Sequence, residues 1–461
     1  MLGQLIQKEV LLHLLSYRFV VTLLLFSVLI ISSVEMIALN YDRQLASHAE
    51  AKRSLDESLK EMTDFRTLQR SGITQEKRPN PLSVFATGLE REMTRSVTVS
   101  RYQEAKVGRS KYANPLFVLF PAPDLIYIVN IVVSLLSVLF AYDSICGEHQ
   151  EGTLKLTMAN AVPRHLLLLA KWIGGYAVLI LPFLLAVLAA LLIAYTTTSL
   201  QFSGSEWAAF AGFVGVSCLY ISVFYGLGML ISALTHRPAT SLVLSFLIWV
   251  VLVLVIPNTV PMVARALSPI PSAGVIAGHR EAVQRSMWSS MRGQMRQAGD
   301  RDARRKLRDD VRAQIQDETD KILHDYLEKV DAQIGLGILL GRVSPSANYV
   351  YAAANLAGSG TRDFSNLRDY IKRYRQQFVD QVQQLRRDRS RQLEGVTDEA
   401  ERQEIEDAPI DPDALPPFDV GRRAFSDTLV DSQTDLLILV VLNVVFFLGT
   451  HISFLRYDLM K

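Results

Sequence analysis

The chain has 461 residues, 49% hydrophobic and 20% charged, with 48 Lys and Arg against 46 Asp and Glu, a net charge of +2 and a mean hydropathy of +0.20. Near-neutral charge excludes a nucleic-acid partner, because the basic residues are matched by acids within the same segments. Two cysteines, Cys146 and Cys218, exclude a disulfide framework, and a chain this apolar and this charged must keep the two properties in separate stretches.

Six apolar runs are long enough to cross a bilayer: Phe19–Leu39, Leu125–Tyr142, Trp172–Tyr195, Ala208–Leu234, Thr240–Pro257 and Asp435–Leu455. Charges gather between them in Tyr41–Lys111 and Arg265–Arg423. The pattern predicts a mainly α membrane protein with transmembrane helices at 19–39, 124–142, 172–195, 208–234, 240–257 and 435–455. An interfacial helix precedes them at 1–18, and mostly helical insertions occupy 40–123 and 258–434. A loop at 143–171 lies on the other side of the membrane from both insertions.

In chain order, Met1–Tyr17 carries Leu2, Leu5, Ile6, Val10, Leu14 and Tyr17 on one broad helical face and Gln4 and Lys8 on the other, the pattern of a helix lying along the inner leaflet. Tyr41 to Ser71 reads as one helix with Leu45, Ala49, Lys52, Leu55, Leu59 and Met62 at three- and four-residue steps along a narrow apolar seam, stopped by Gly72. Ser96–Ser100 alternates as a short strand would. In the second insertion, Ser272–Val330 reads as a charged helix broken near Gly299, and Asp363–Glu394 as a second helix with Leu367, Tyr370, Tyr374, Phe378, Val382 and Leu385 in register. These two are expected to pair as an antiparallel hairpin. Ile334–Leu340 and Tyr349–Leu356 are apolar but too short to span, and fit either re-entrant segments or the buried base of a soluble domain. The proline-rich, acidic stretch Glu404–Asp419 reads as an extended flexible connector.

Orientation follows from Lys and Arg near the spans. Lys8, Arg18, Lys155, Arg164, Lys171, Arg237, Arg456 and Lys461 all fall on one side, and the short opposite loop Thr196–Trp207 has neither residue type. Both termini are therefore expected in the cytosol of a multi-pass inner-membrane protein. The first run is long and lacks a small-residue cleavage site, which argues against a signal peptide.

The loop between the second and third spans, Asp143 to Lys171, is too long for a tight turn and too short for a domain. Gly147 and Gly152 permit sharp turns, Thr153–Leu156 can open a short helix, and Glu148 and Glu151 have no basic residue beside them in sequence. The alternative reading is a surface loop whose glutamates are solvated. The order Glu148-x-x-Glu151-Gly152-Thr153-Leu154, a small-residue step, Val162-Pro163-Arg164 and Lys171-x-x-Gly174 resembles the permeases of ABC type-2 exporters, departing at Asn160-Ala161, where relatives often carry Ser-x or Asn-Pro. The resemblance implies a cytosolic coupling loop seated on a separate ABC ATPase, with Glu148, Glu151, Gly152, Thr153, Leu154, Pro163 and Arg164 as the ATPase-coupling residues. It also implies a lateral helix before the first span, a second permease as dimer partner and contact with membrane lipid. ATP and Mg would be bound by the ATPase and no cofactor by this chain.

No Gly-x-x-x-x-Gly-Lys-Ser/Thr occurs, so this chain does not cradle phosphates by that device and is read as a non-catalytic subunit. His149 beside Glu148 and Glu151 lacks metal-ligand spacing. An ion-coupled carrier would need ionisable residues at mid-span, and Glu35 and Asp143 lie only at run ends. The expected function is export of an amphiphilic substrate driven by the ATPase. The alternative is a non-transporting membrane scaffold or receptor with helical outer domains.

Overall fold

In the computed structural model the described residues are 2–91, 93, 96–100, 106–108, 123–159, 163–297, 301–394 and 396–456. Lys111, the loop residues Asn160, Ala161 and Val162, the expected break at Gly299, and Lys461 lie outside them. Helix dominates, and six helices are long and apolar enough to span: Tyr17–Glu61, Leu125–Gln150, Arg164–Thr197, Gly204–Leu234, Pro238–Leu267 and Phe425–Leu455. The chain forms two compact units, one of Met1–Trp249 with Asn348–Lys461 and one of Val250–Ala347.

The first unit begins with α1 (Leu2–Leu14) and α2 (Tyr17–Glu61). The 45 residues of α2 reach about 68 Å at 1.5 Å per residue, over twice the roughly 30 Å hydrocarbon core, so the first span runs on as one rod to Glu61, and the helix expected up to Ser71 breaks at Met62. Beyond it come α3 (Phe65–Ser71) and an antiparallel meander of β1 (Ile73–Glu76), β2 (Ser96–Val99) and β3 (Lys106–Gly108), where the sequence suggested a single strand. Gly72 ends α3 at φ +74, and a Cβ there would run into the Val99 carbonyl. The second span, α4 (Leu125–Ala141), contains a π-helical segment at Ile128–Val133. Short helices α5 (Cys146–Gln150) and α6 (Thr153–Ala159) fill the loop before α7 (Arg164–Thr197) and α8 (Gly204–Leu234). The helix α9 (Pro238–Val250) carries the unit to its boundary.

The spans are joined by neutral polar contacts, since an unpaired polar group in hydrocarbon costs several kcal/mol. Tyr220 on α8 donates to Asn130 Oδ1 in the π-helical segment (2.8 Å), Trp249 Nε1 to Ser134 Oγ (2.9 Å) and Ser137 Oγ to the Ile221 carbonyl (2.7 Å). Gly228 lets α8 approach α4, because a Cβ there would lie 2.7 Å from the Ala141 methyl. The short helix α13 (Pro345–Leu356) buries Asn348, Tyr349, Ala352 and Leu356: Tyr349 stacks on Tyr220 at 4.4 Å, and its hydroxyl meets Ser217 Oγ at 3.1 Å.

The seam of α14 (Thr361–Leu393) packs on the first insertion. Leu367, Ile371, Tyr374, Phe378 and Val382 share one core with Leu59 of α2, Phe65 and Leu68 of α3, and Val97 and Val99 of β2. The connector expected to be flexible is strapped onto this core. After α15 (Glu399–Asp407), Ile410 and Leu415 are buried, the Ile410 N–H bonds the Met62 carbonyl (3.0 Å), and Tyr374 donates to the Pro416 carbonyl (3.1 Å). The last span is α16 (Phe425–Leu455).

In the second unit, α10 (Ile256–Leu267) continues from the π-helical Val251–Val255, and α11 (Ala273–Gln297) pairs with α12 (Arg301–Gly341). Met291, Val311 and Ile315 are buried between them, flanked by Met287, Trp288, Met295 and Leu307. A hairpin therefore forms within 273–341, and the seam residues of Asp363–Glu394 pack on the first insertion. A seam tells that a helix has a partner, and the larger apolar face of α14 is occupied by the insertion core. Ile334–Leu340 is the end of α12 and no separate segment.

Phe378 is wholly buried, so Phe378→Ala should cost about 3–5 kcal/mol and make the 55–100 segment sensitive to limited proteolysis. Replacing 273–332 with a short linker should leave that resistance intact.

Candidate coupling site

The segment after α4 is folded back on the span ends at several points. Arg18 at the start of α2 grips Asp143 with both terminal nitrogens (3.1 and 2.7 Å), and its guanidinium lies over the Tyr142 ring at 5.4 Å. The backbone N–H groups of Ile145 and Cys146 donate to Ser232 Oγ near the end of α8 (3.0 and 3.1 Å), and both side chains are fully buried. At the far end Pro163 stands before α7, and Arg164 donates to the last carbonyls of α16, Phe454 (3.0 Å) and Leu455 (2.7 Å), completing that helix terminus.

Between these anchors the two glutamates behave differently. Glu148, expected as an ATPase-coupling residue, has its Oε1 2.6 Å from Nζ of Lys171, two turns into α7. Its Oε2 is buried and accepts no hydrogen bond among the described residues. Lys171 is 3% exposed and also pairs with Glu9 of α1 at 3.2 Å, so one ammonium is shared by two carboxylates. Glu151 stays exposed. Gly152 turns the chain at φ +77 with nothing within 4 Å of a Cβ, so conformation and not crowding requires glycine there. Thr153 Oγ1 donates to the Glu148 carbonyl (3.2 Å), tying α6 back to α5, and Leu154 is buried beneath. The face left outward holds Glu151, Thr153, Lys155 and Leu156, the last 70% exposed.

Two glycines make the Lys171 arrangement possible. A Cβ on Gly174 would sit 2.7 Å from Glu9 Cβ, so only glycine admits α1 this close to α7. The place of a Gly175 Cβ is taken by the Tyr225 hydroxyl, which donates to the Lys171 carbonyl (3.2 Å). Sequence reasoning did not single out Glu9, and the available signal was a carboxylate within the apolar face of α1, one turn after Leu5 and Ile6. Leu11 and Leu12 are exposed on the same helix and Leu15 just past its end, which suits one face in lipid and one on protein. Among the described residues no His, Cys, Asp or Glu group is arranged to hold a metal ion.

Removing one partner of a buried ion pair leaves an uncompensated charge, so Lys171→Met should lower stability by about 3–5 kcal/mol, read from thermal unfolding of the purified chain. His13, on α1, is held below its ordinary 6.5 mainly by burial, against the pull of Glu9 and Asp143 and aided by Lys171 and Arg18. Its folded pKa is the lower one, so the unfolded chain binds the proton first. The docking of α1 should be fully stable above pH 6.5 and weaken as pH falls below it, an effect that His13→Gln should reduce in pH-dependent melting.

Comparison with known proteins now gives this arrangement a context. The family model described as ABC-2 family transporter protein matches residues 4–459. The probable ABC transporter permease protein NosY of Stutzerimonas stutzeri is 30% identical over 129 residues, 28% of this chain, so the chain spans about half (46%) of that relative's length. With six helices long and apolar enough to span among the described residues and a family match over nearly its whole length, the chain belongs to the ABC-2 transporter family.

Proposed function

We propose that this permease exports an amphiphilic substrate, driven by ATP hydrolysed on a separate ATPase that docks on the 143–164 loop. The observation that carries this reading is the loop itself. It is anchored through Asp143, Ile145, Cys146, Glu148 and Arg164, yet presents Glu151, Thr153, Lys155 and Leu156 outward. A docking surface needs that combination, because a loop free at its base would absorb the ATPase's movement without passing it on. In this reading both termini and the loop are cytosolic, the insertions lie outside the inner membrane, and a second permease completes the path. Pro238–Leu267 and Phe425–Leu455, the least buried of the spanning helices, leave apolar faces for lipid or that second copy.

The neutral polar contacts between the spans suit an amphiphile over a small ion. Asn130, Ser217, Tyr220, Ser222 and Asn443 bond to one another or to carbonyls, with Ser222 Oγ donating to Asn443 Oδ1 at 2.7 Å. Such groups can satisfy a polar head without holding a charge.

The test is capture of an ABC ATPase by the tagged chain. Glu151→Ala with Leu156→Ala should leave membrane insertion unchanged and weaken capture about tenfold or more, as expected for about 1–3 kcal/mol per lost contact. In the same membranes, cysteines at Ser58 and Arg387 should react with an impermeant maleimide from outside, and those at Lys155 and Arg237 should not. Normal capture by the double variant, or labelling of Lys155→Cys from outside, would overturn the reading.

A further inference from the structure

The shared ammonium of Lys171 carries a consequence beyond ATPase docking. Its two carboxylates belong to different elements: Glu9 to α1, which lies across the base of the spans, and Glu148 to α5, which begins the loop. The distances are unequal, 2.6 Å to Glu148 and 3.2 Å to Glu9, and all three groups are withdrawn from water, with the Glu148 side chain 19% exposed and the other two below that. Three charges here sum to one net negative, so the two carboxylates repel each other across the cation that holds them. Where water is scarce that repulsion is poorly screened. Strengthening one arm weakens the other.

We infer that Lys171 is a positioning residue which makes the seats of the loop and the interfacial helix mutually dependent, with Glu9 and Glu148 competing for one ammonium. The surrounding structure is built for such an exchange. Gly174 brings the α1 backbone against α7, its Cβ position lying 3.4 Å from the Ile6 carbonyl, and Tyr225 fixes the backbone of Lys171 itself. The ammonium therefore swings on a fixed stem between two acceptors. Glu148 Oε2, buried and without a hydrogen bond among the described residues, is the atom through which an added donor would draw Glu148 off the lysine. A displacement of the loop then hands the lysine to Glu9 and tightens α1 against α7. The inference rests on the loop being the ATPase contact only for its purpose, and its geometry is open to test without the ATPase.

Cys146 is a native reporter for the loop's seat. It is fully buried two residues before Glu148, its N–H held by Ser232 Oγ, and the other cysteine, Cys218, can be replaced by serine. The experiment measures the rate at which N-ethylmaleimide alkylates Cys146 in the full-length Cys218→Ser chain in lipid nanodiscs. Glu148→Gln should raise the rate several-fold, because the loop loses its arm. Glu9→Gln should lower it at least twofold, because Lys171 is then left to Glu148 alone, and Lys171→Arg should stay within twofold of the parent. Changes in the same direction for the two glutamine variants, or no change in either, would overturn the inference. Capture of an ATPase by the parent chain is scored separately, so failure of the docking reading and failure of this one are told apart.

Discussion

Burying the ammonium of Lys171 is tolerable only because two carboxylates close on it, and those carboxylates come from the first helix of the chain and from the loop after the second span. Desolvating an ion costs several kcal/mol, and the cost is recovered only when the partner sits at hydrogen-bond distance in fixed geometry. That requirement propagates outward. It demands glycine at Gly174 so that α1 can lie against α7, and room at Gly175 for the Tyr225 hydroxyl that holds the Lys171 carbonyl. The parallel grip of Arg18 on Asp143 joins the start of the first long helix to the end of α4. The loop side of the protein is thus held by charges, while the spans are held by neutral groups.

The division follows the solvent. Within the spans a charge has no water to fall back on, so the helices are joined through Asn130, Ser134, Ser137, Tyr220 and Trp249, each satisfied by a neighbour. At the span ends, where the dielectric rises, ion pairs become affordable and can be remade when an element moves. On the insertion side a similar fringe appears: Arg423 and Arg362 both reach Asp431, and Arg422 bonds the carbonyl of Leu356 at the end of α13. A transporter subunit needs both kinds of contact, a rigid neutral middle and ends whose partners can change.

The spans were legible in the sequence because a bilayer demands long apolar runs, and the turn at Gly152 because a positive φ favours glycine. The seam of α14 was also legible, down to Leu367, Tyr374, Phe378 and Val382, but its partner was not. Periodicity states that a face is buried and is silent on what buries it, so the packing of this seam on the first insertion had no local signal. The strap around Ile410 and Leu415 escaped for a related reason: its prolines and acids have the composition of a linker, and only contact with Tyr374 and Met62 fixes it. In the candidate site the family pattern pointed to Glu148 and Arg164, yet their partners, Lys171 with Glu9 and the end of α16, lie far away in the chain. Charge pairing across such separations leaves no local signature.

The central claim is that Glu148 and Lys171 act on each other and not independently. The most direct test is a double-mutant cycle on thermal stability with Glu148→Gln, Lys171→Met and both together, in the full-length chain at neutral pH. The account predicts strong non-additivity, with the double variant more stable than the two single losses would allow by about 1–3 kcal/mol. Losses that simply add would mean that the two charges do not meet in the folded protein, and would contradict it.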